Sequence, residues 1–277
     1  MAHAYPESLQ LAYYNITAHT PTGVAIGPIK IHKYRNTSHS DVDTSADAGL
    51  DLKNKIIGAL RDRYKKITGS IQKGEIISID STKQSEWFEG LRNRDIDKTA
   101  IVRAFSGKGS LQDIELALDA GLATGKIKPN LIDIQKVCDD CIGLDCNGFV
   151  GNFTKYQGMM SADGHYGPNS EPKVFAARGV KRDKMEDIRV KDVFLWPGSS
   201  QHIAIVSYVW GMDGWFYVTE SSASLGGLNT RWYQFTGKSS YGDTMVKGGG
   251  NGRMFEVRRP TKSGSFYKTW ILPCKLG

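Results

Sequence analysis

Cysteine is scarce in this sequence, four in 277 residues, and a chain of that length is ample for a self-supporting core, so a disulfide scaffold is not required. No stretch approaches the ~18 apolar residues of a membrane-spanning helix, which excludes a helical span. The first ten residues, M-A-H-A-Y-P-E-S-L-Q, have neither the basic start nor the apolar run of an export signal. A product that works outside the cell is therefore expected to leave by another route. Basic runs are short (Arg61 to Lys66, Lys181 to Lys184, Arg258 and Arg259) and are not interleaved with aromatics, so no nucleic-acid platform is expected. Neither an internal repeat nor a low-complexity tract is visible.

What is present is a globular composition: 40% hydrophobic residues with 12 Tyr, 10 Phe and 6 Trp, too aromatic for long disorder. Lysine and arginine exceed the acids by 36 to 29, a formal charge of +7 that favours anionic surroundings such as acidic glycans or cell envelopes. Apolar and polar residues alternate from Gly23 to Tyr34, and a Ser/Asp/Thr-rich loop or linker is expected from Asn36 to Ala48. Leu52, Ile56, Ile57, Leu60, Tyr64 and Ile67 then recur at helical spacing, with Gly69 as a C-terminal stop. A second helix is expected to start at Ser110, with Asp113 completing a capping-box-like pair, and a third to follow Pro129 and Asn130 as far as Cys141. From Asp187 the texture becomes β, in 190–196, 202–210 and 215–220, with Gly214 at positive φ in the last turn. Helices followed by antiparallel strands predict an α+β fold. The Gly-rich segment 247–253 lacks the Lys-Ser/Thr of a phosphate loop and reads as a plain loop.

The chemistry concentrates in G-L-D-C-N-G-F-V-G-N-F, residues 143–153. Gly143 breaks the preceding helix, Asp145 is a candidate N-cap, and Cys146, Phe149, Val150 and Phe153 fall on one buried helix face. Cys146 therefore sits in a first helical turn, where unpaired N–H groups favour a thiolate and can steady an oxyanion. His202 opens an apolar strand in S-Q-H-I-A-I-V, and Glu220 ends the next one. Nucleophile, base and orienting acid would be Cys146, His202 and Glu220. A three-residue turn 212–214 pairs His202 with Ser224 and Glu220 with Val206, placing the two groups roughly 13 Å apart along the strand. A bulge or a longer loop is needed to join them, and Ser222 or Ser224 stands as the alternative third member.

D-C-N-G-F-V resembles the D-C-S-G-F-V signature of NlpC-type papain-like cell-wall peptidases, and D-V-F-L-W followed by H-I-A-I-V resembles their strand and histidine motif. The similarity runs from about Leu131 to Ser222, roughly a third of the chain. The step from His202 to Glu220 is closer to that of the related CHAP amidases, in which an Asn commonly follows two residues later, where this chain has Ser222. The resemblance implies an α+β papain-like domain over 106–277, with the nucleophile helix packed on an antiparallel sheet and residues 1–105 as an accessory region. It implies a cysteine peptidase or amidase that cuts amide bonds of peptidoglycan peptides without metal or cofactor, as a lysin or a secreted antibacterial effector. Partners would then be the peptidoglycan peptide, an immunity protein or secretion machinery, and the place of action would be extracellular or a target-cell periplasm. Asp145 and Asn147 match family positions that bind a free amino group of the stem peptide, Asn147 standing in place of Ser. Two rival functions share these residues: a transferase or deamidase toxin acting on a protein, and a non-catalytic wall-binding module with Cys146 as core. Cys138 and Cys141, as C-D-D-C, admit a zinc reading with Cys146 and Cys274 or His165, or a redox pair, against ordinary helix cysteines. The other histidines, His3, His19, His32, His39 and His165, read as solvated. Gln135 lies on a helix of uncertain register and is not assigned to an oxyanion hole.

Overall fold

A computed structural model describes residues 4–35, 48–68, 98–196, 202–210, 214–242, 252–261 and 263–276. After a first helix, α1 (Pro6–Tyr13), the chain forms a two-stranded ribbon, β1 (Ile16–His19) with β2 (Ala25–Ile29), then four helices: α2 (Ala48–Thr68), α3 (Lys98–Phe105), α4 (Leu111–Ala123) and α5 (Leu131–Cys141). Residues 12–143 make one compact unit, and residues 144–277 with 1–11 make the other. Residue 105, the boundary expected from sequence, ends α3 inside the first of these.

Local signals explain the helix starts. The Asp113 N–H donates to Ser110 Oγ at 3.2 Å while the Ser110 N–H donates to Asp113 Oδ2 at 2.9 Å, so two orphan donors of the first turn of α4 are satisfied reciprocally. Asn130 caps α5 by accepting from the Asp133 N–H at 2.9 Å. Within this unit His19 departs from the solvated reading. Its backbone N–H donates to Asp119 Oδ1 at 2.6 Å and its ring lies 3.7 Å from Asp119 Oδ2 with 13% of the side chain exposed. His32 and His165 stand beside Asp139 and Asp163 at 3.7 and 2.9 Å. His3, His39, the 36–47 linker, Gly69 and residues 247–251 of the Gly-rich segment lie outside the described residues.

The second unit carries α6 (Cys146–Tyr156), α7 (Pro172–Arg178) and the strands β3 (Val180–Lys181), β4 (Val193–Trp196), β5 (His202–Trp210), β6 (Trp215–Ser222), β7 (Gly227–Gly242), β8 (Gly252–Pro260) and β9 (Phe266–Lys275). Here the papain-like expectation is overturned. The antiparallel order runs β9-β4-β5-β6-β7-β8, and β8 then pairs with β9 through Phe255↔Ile271 and Val257↔Thr269. Six strands thus close into a barrel instead of forming an open sheet beneath a helix, and seven α-helices accompany them among the described residues. The physical cause lies after residue 226, in long strands with polar outer faces, and in register shifts within β5 and β7 that bend the sheet far enough to meet itself.

Side-chain alternation fills the barrel. Phe194, Trp196, Ala204, Val206, Phe216, Val218, Tyr233, Phe255, Val257 and Ile271, drawn from all six strands, form one buried cluster. A fully buried side chain such as Phe216 or Ile271 contributes about 1.5–3 kcal/mol. Helix α6 packs outside, on β5 and β6. Gly151 in its middle is required by close approach: a Cβ there would lie 2.3 Å from the Gly167 carbonyl.

Candidate active site

Asp145 precedes α6 in an extended conformation and accepts the Gly148 N–H on its carboxylate, which fixes the helix start and puts Cys146 at the first helical position. The Cys146 N–H there, in the first turn of the helix, has no intrahelical acceptor. Ser221 of β6 donates to the Leu144 carbonyl at 2.5 Å, tying the chain just before the helix to the strand that carries Glu220. Cys146 is 6% exposed, and its sulfur lies 3.6 Å from Asn147 Oδ1. Gly148, Phe149, Val150, Gly151, Asn152 and Phe153 are buried along with it, as the helical stripe predicts for 146, 149, 150 and 153.

His202 opens β5 opposite Trp196 of β4, and the two rings pack with centroids 4.8 Å apart. Its Nε2 meets Glu220 Oε2 at 2.7 Å. The register explains how. Near the turn Trp210 pairs with Trp215, but beyond a bulge at Ser207 the pairing shifts by one, so that Val206 faces Val218 and Ile205 faces Thr219. Glu220 then falls opposite Ala204, one same-face step from His202 and not two, within diagonal reach of long side chains. Both deviations from the simple hairpin, the Trp210–Trp215 pairing and the bulge, carry Glu220 toward the histidine.

Glu220 is fully buried and accepts three donors. Besides His202 these are the Tyr233 hydroxyl on Oε1, at 2.6 Å, and the Arg259 guanidinium on Oε2. Burial pushes its carboxyl up, yet the His202 hydrogen bond and the Arg259 charge outweigh this and bring it down to about 2. It is a carboxylate, so Nε2 of His202 carries the hydrogen. The other ring nitrogen, Nδ1, is left for the sulfur. His202 is pushed down by burial, but its hydrogen bonds with Cys146 and Glu220 and their charges hold it up, at about 9. An imidazolium therefore faces the Cys146 sulfur at neutral pH.

Sequence reasoning named Cys146, His202 and Glu220, and the fold brings these three together. Ser222 is turned elsewhere, 3.3 Å from Arg259 and 3.0 Å from Ser224. Asp145 is engaged as the helix cap, and Asn147 stands beside the sulfur. Gln135 spends both ends of its amide on the Lys30 backbone, at 2.9 Å each. Cys138, Cys141 and Cys274 are buried free thiols, and among the described residues no group of three or more metal-ligating side chains converges. The residues that sequence reasoning missed are Trp196, Tyr233 and Arg259. Arg259 belongs by sequence to a short basic run, yet it is 4% exposed.

No protein-family model and no curated protein matches this chain. No helix among the described residues is long and apolar enough to cross a membrane.

Proposed function

We propose that this chain is a cysteine hydrolase that cuts amide bonds through an acyl-enzyme. The observation that carries the reading is the meeting of a helix-N-terminal cysteine with a histidine whose far nitrogen is held by a buried carboxylate. Cys146 Sγ attacks the amide carbonyl, and the Cys146 N–H receives the developing oxyanion. Imidazolium His202 gives its proton to the leaving amine, which departs with the C–N bond pair. Neutral His202 next takes a proton from water as it attacks the thioester, and the thiolate is released with the acid product. Glu220 keeps the ring in the tautomer and orientation that both proton transfers need.

The substrate reading rests on the D-C-N-G-F-V and H-I-A-I-V motifs, which resemble those of NlpC-type and CHAP cell-wall enzymes, and on the basic surface suited to an anionic envelope. Peptide amide bonds of peptidoglycan are the proposed target, reached outside the producing cell. Mass spectrometry of soluble products after incubation with purified sacculi tests this. New muropeptides, each pair of termini adding one water across a single stem or cross-bridge bond, are expected. Intact sacculi, alongside conversion of a protein glutamine to glutamate or to an amide of an added amine, would overturn the peptidoglycan reading in favour of a protein-directed toxin.

A further inference from the structure

Glu220 belongs to the proposed triad, but the residue holding it on the opposite side does not. Arg259 sits on β8 at the next inward position after Val257, so it points into the barrel at the end where His202 and Glu220 interrupt the apolar core. Its side chain is 5% exposed. Nη2 donates to Glu220 Oε2 and lies 3.3 Å from Ser222 Oγ, while Nη1 donates to the Tyr267 hydroxyl at 2.7 Å. The guanidinium lies over the Trp196 ring, 4.9 Å from its centroid, on the residue that also packs against His202. Every one of these partners comes from a different strand or from the strand of Glu220, so the fork cannot turn without breaking the arrangement.

We propose that Arg259 is a positioning residue of the hydrolase site: it fixes Glu220 toward His202 and, as a cation 3.5 Å from Nε2, keeps the imidazolium willing to release its proton. The inference rests on the proposed hydrolase reading for its purpose, and on electrostatics alone for its sign. A buried carboxylate paired with imidazolium and nothing else would hold that proton too firmly for a general acid. A neighbouring cation shares the carboxylate and weakens the hold. The groups facing the ring are Cys146 from α6, Glu220 from β6, Tyr233 from β7, Arg259 from β8 and, through Arg259, Tyr267 from β9. Tyr233 is pushed well above its usual range by burial and by Glu220, so it stays neutral and leaves the balance to Glu220, Arg259 and the sulfur.

The test is the titration of the His202 ring, followed by NMR in the full chain labelled with 13C-histidine and assigned by the signal that disappears in His202→Gln. Arg259→Met is expected to raise the His202 midpoint by about one pH unit or more. Arg259→Lys keeps the charge but loses the fork, so its midpoint stays within about half a unit of wild type while turnover of sacculi falls about tenfold. A folded Arg259→Met chain with an unmoved or lowered midpoint would overturn the proposal. If that variant fails to fold, Arg259→Lys decides: unchanged turnover overturns it, and reduced turnover with a wild-type midpoint upholds it. A raised midpoint in Arg259→Met, together with no turnover by the wild-type chain, would overturn the hydrolase reading and leave the electrostatic role of Arg259 standing.

Discussion

Cys146→Ala is expected to release at least about 10⁴-fold less muropeptide from sacculi than wild type, with its melting temperature nearly unchanged. The two readouts separate because the sulfur has two kinds of neighbour. For packing, Cys146 contributes one small buried group at the start of α6, and the helix retains its Asp145 cap, the Ser221 tie to Leu144 and the buried stripe through Phe153. For chemistry, the acyl-enzyme forms on this atom, and the Cys146 N–H and His202 have no bond to make without it. Comparison of soluble product after equal incubation, with thermal melts of both proteins, gives the answer. Wild-type turnover by the alanine variant would show that Cys146 is not the nucleophile and overturn the acyl-enzyme reading.

Glu220→Gln carries the next largest effect. The amide cannot accept as an anion from three donors, and its N–H₂ group invites Nε2 of His202 to become the acceptor. The hydrogen then moves to Nδ1, the nitrogen facing the sulfur, where it blocks proton uptake from Cys146. A loss of about 10³-fold in kcat is expected, with KM little changed. Stability falls too, by about 3 kcal/mol, because Arg259 is left as a buried cation without its carboxylate. The pH dependence gives a separate signature. Glu220 is lowered from 4.5 to about 2, so its contribution is complete above pH 4.5 and is lost as pH falls from there toward 2. His202 is raised from 6.5 to about 9, so its share is complete below pH 6.5 and is lost as pH rises toward 9. Wild-type Tm should fall on both sides of the window between about 4.5 and 6.5. In Glu220→Gln both limbs should flatten, and limbs as steep as those of wild type would show that the carboxylate is not what titrates.

The sequence made the local parts of this site readable and left the non-local parts hidden. A cap, a helix face and a strand start are each written within a few residues, which is why Asp145, the stripe from Cys146 to Phe153 and the strand from His202 were legible from spacing. The distance between His202 and Glu220 was not, because it depends on a bulge at Ser207 that no residue type announces. Closure of the barrel was hidden for a similar reason. Strand β7, G-L-N-T-R-W-Y-Q-F-T-G-K-S-S-Y-G, carries polar residues and one register shift, between Phe235 and Ser239, where a buried strand would show an apolar run, and its partner β8 follows a glycine-rich stretch. Arg258 and Arg259 look alike in sequence, yet period-two alternation sends the first to solvent and the second into the barrel. Arg259 meets a carboxylate 39 positions away, across strands whose pairing the sequence alone does not fix.

The most direct measurement is the rate at which each cysteine of the native chain reacts with iodoacetamide at pH 6, resolved by peptide mapping. Cys141 and Cys146 are equally exposed, 6% each, so a difference between them reads chemistry and not access. Burial pushes the Cys274 thiol up to about 12 and raises the Cys138 thiol as well, which holds both unreactive. Cys146 faces imidazolium His202 at a helix N-terminus, and this pairing is what sets its sulfur apart from the other three. Labelling of Cys146 about a hundredfold faster than Cys141, lost in His202→Ala, is the expected result. Equal slow labelling of all four cysteines, or fast labelling of Cys146 that survives His202→Ala, would contradict the pairing on which the proposed hydrolase depends.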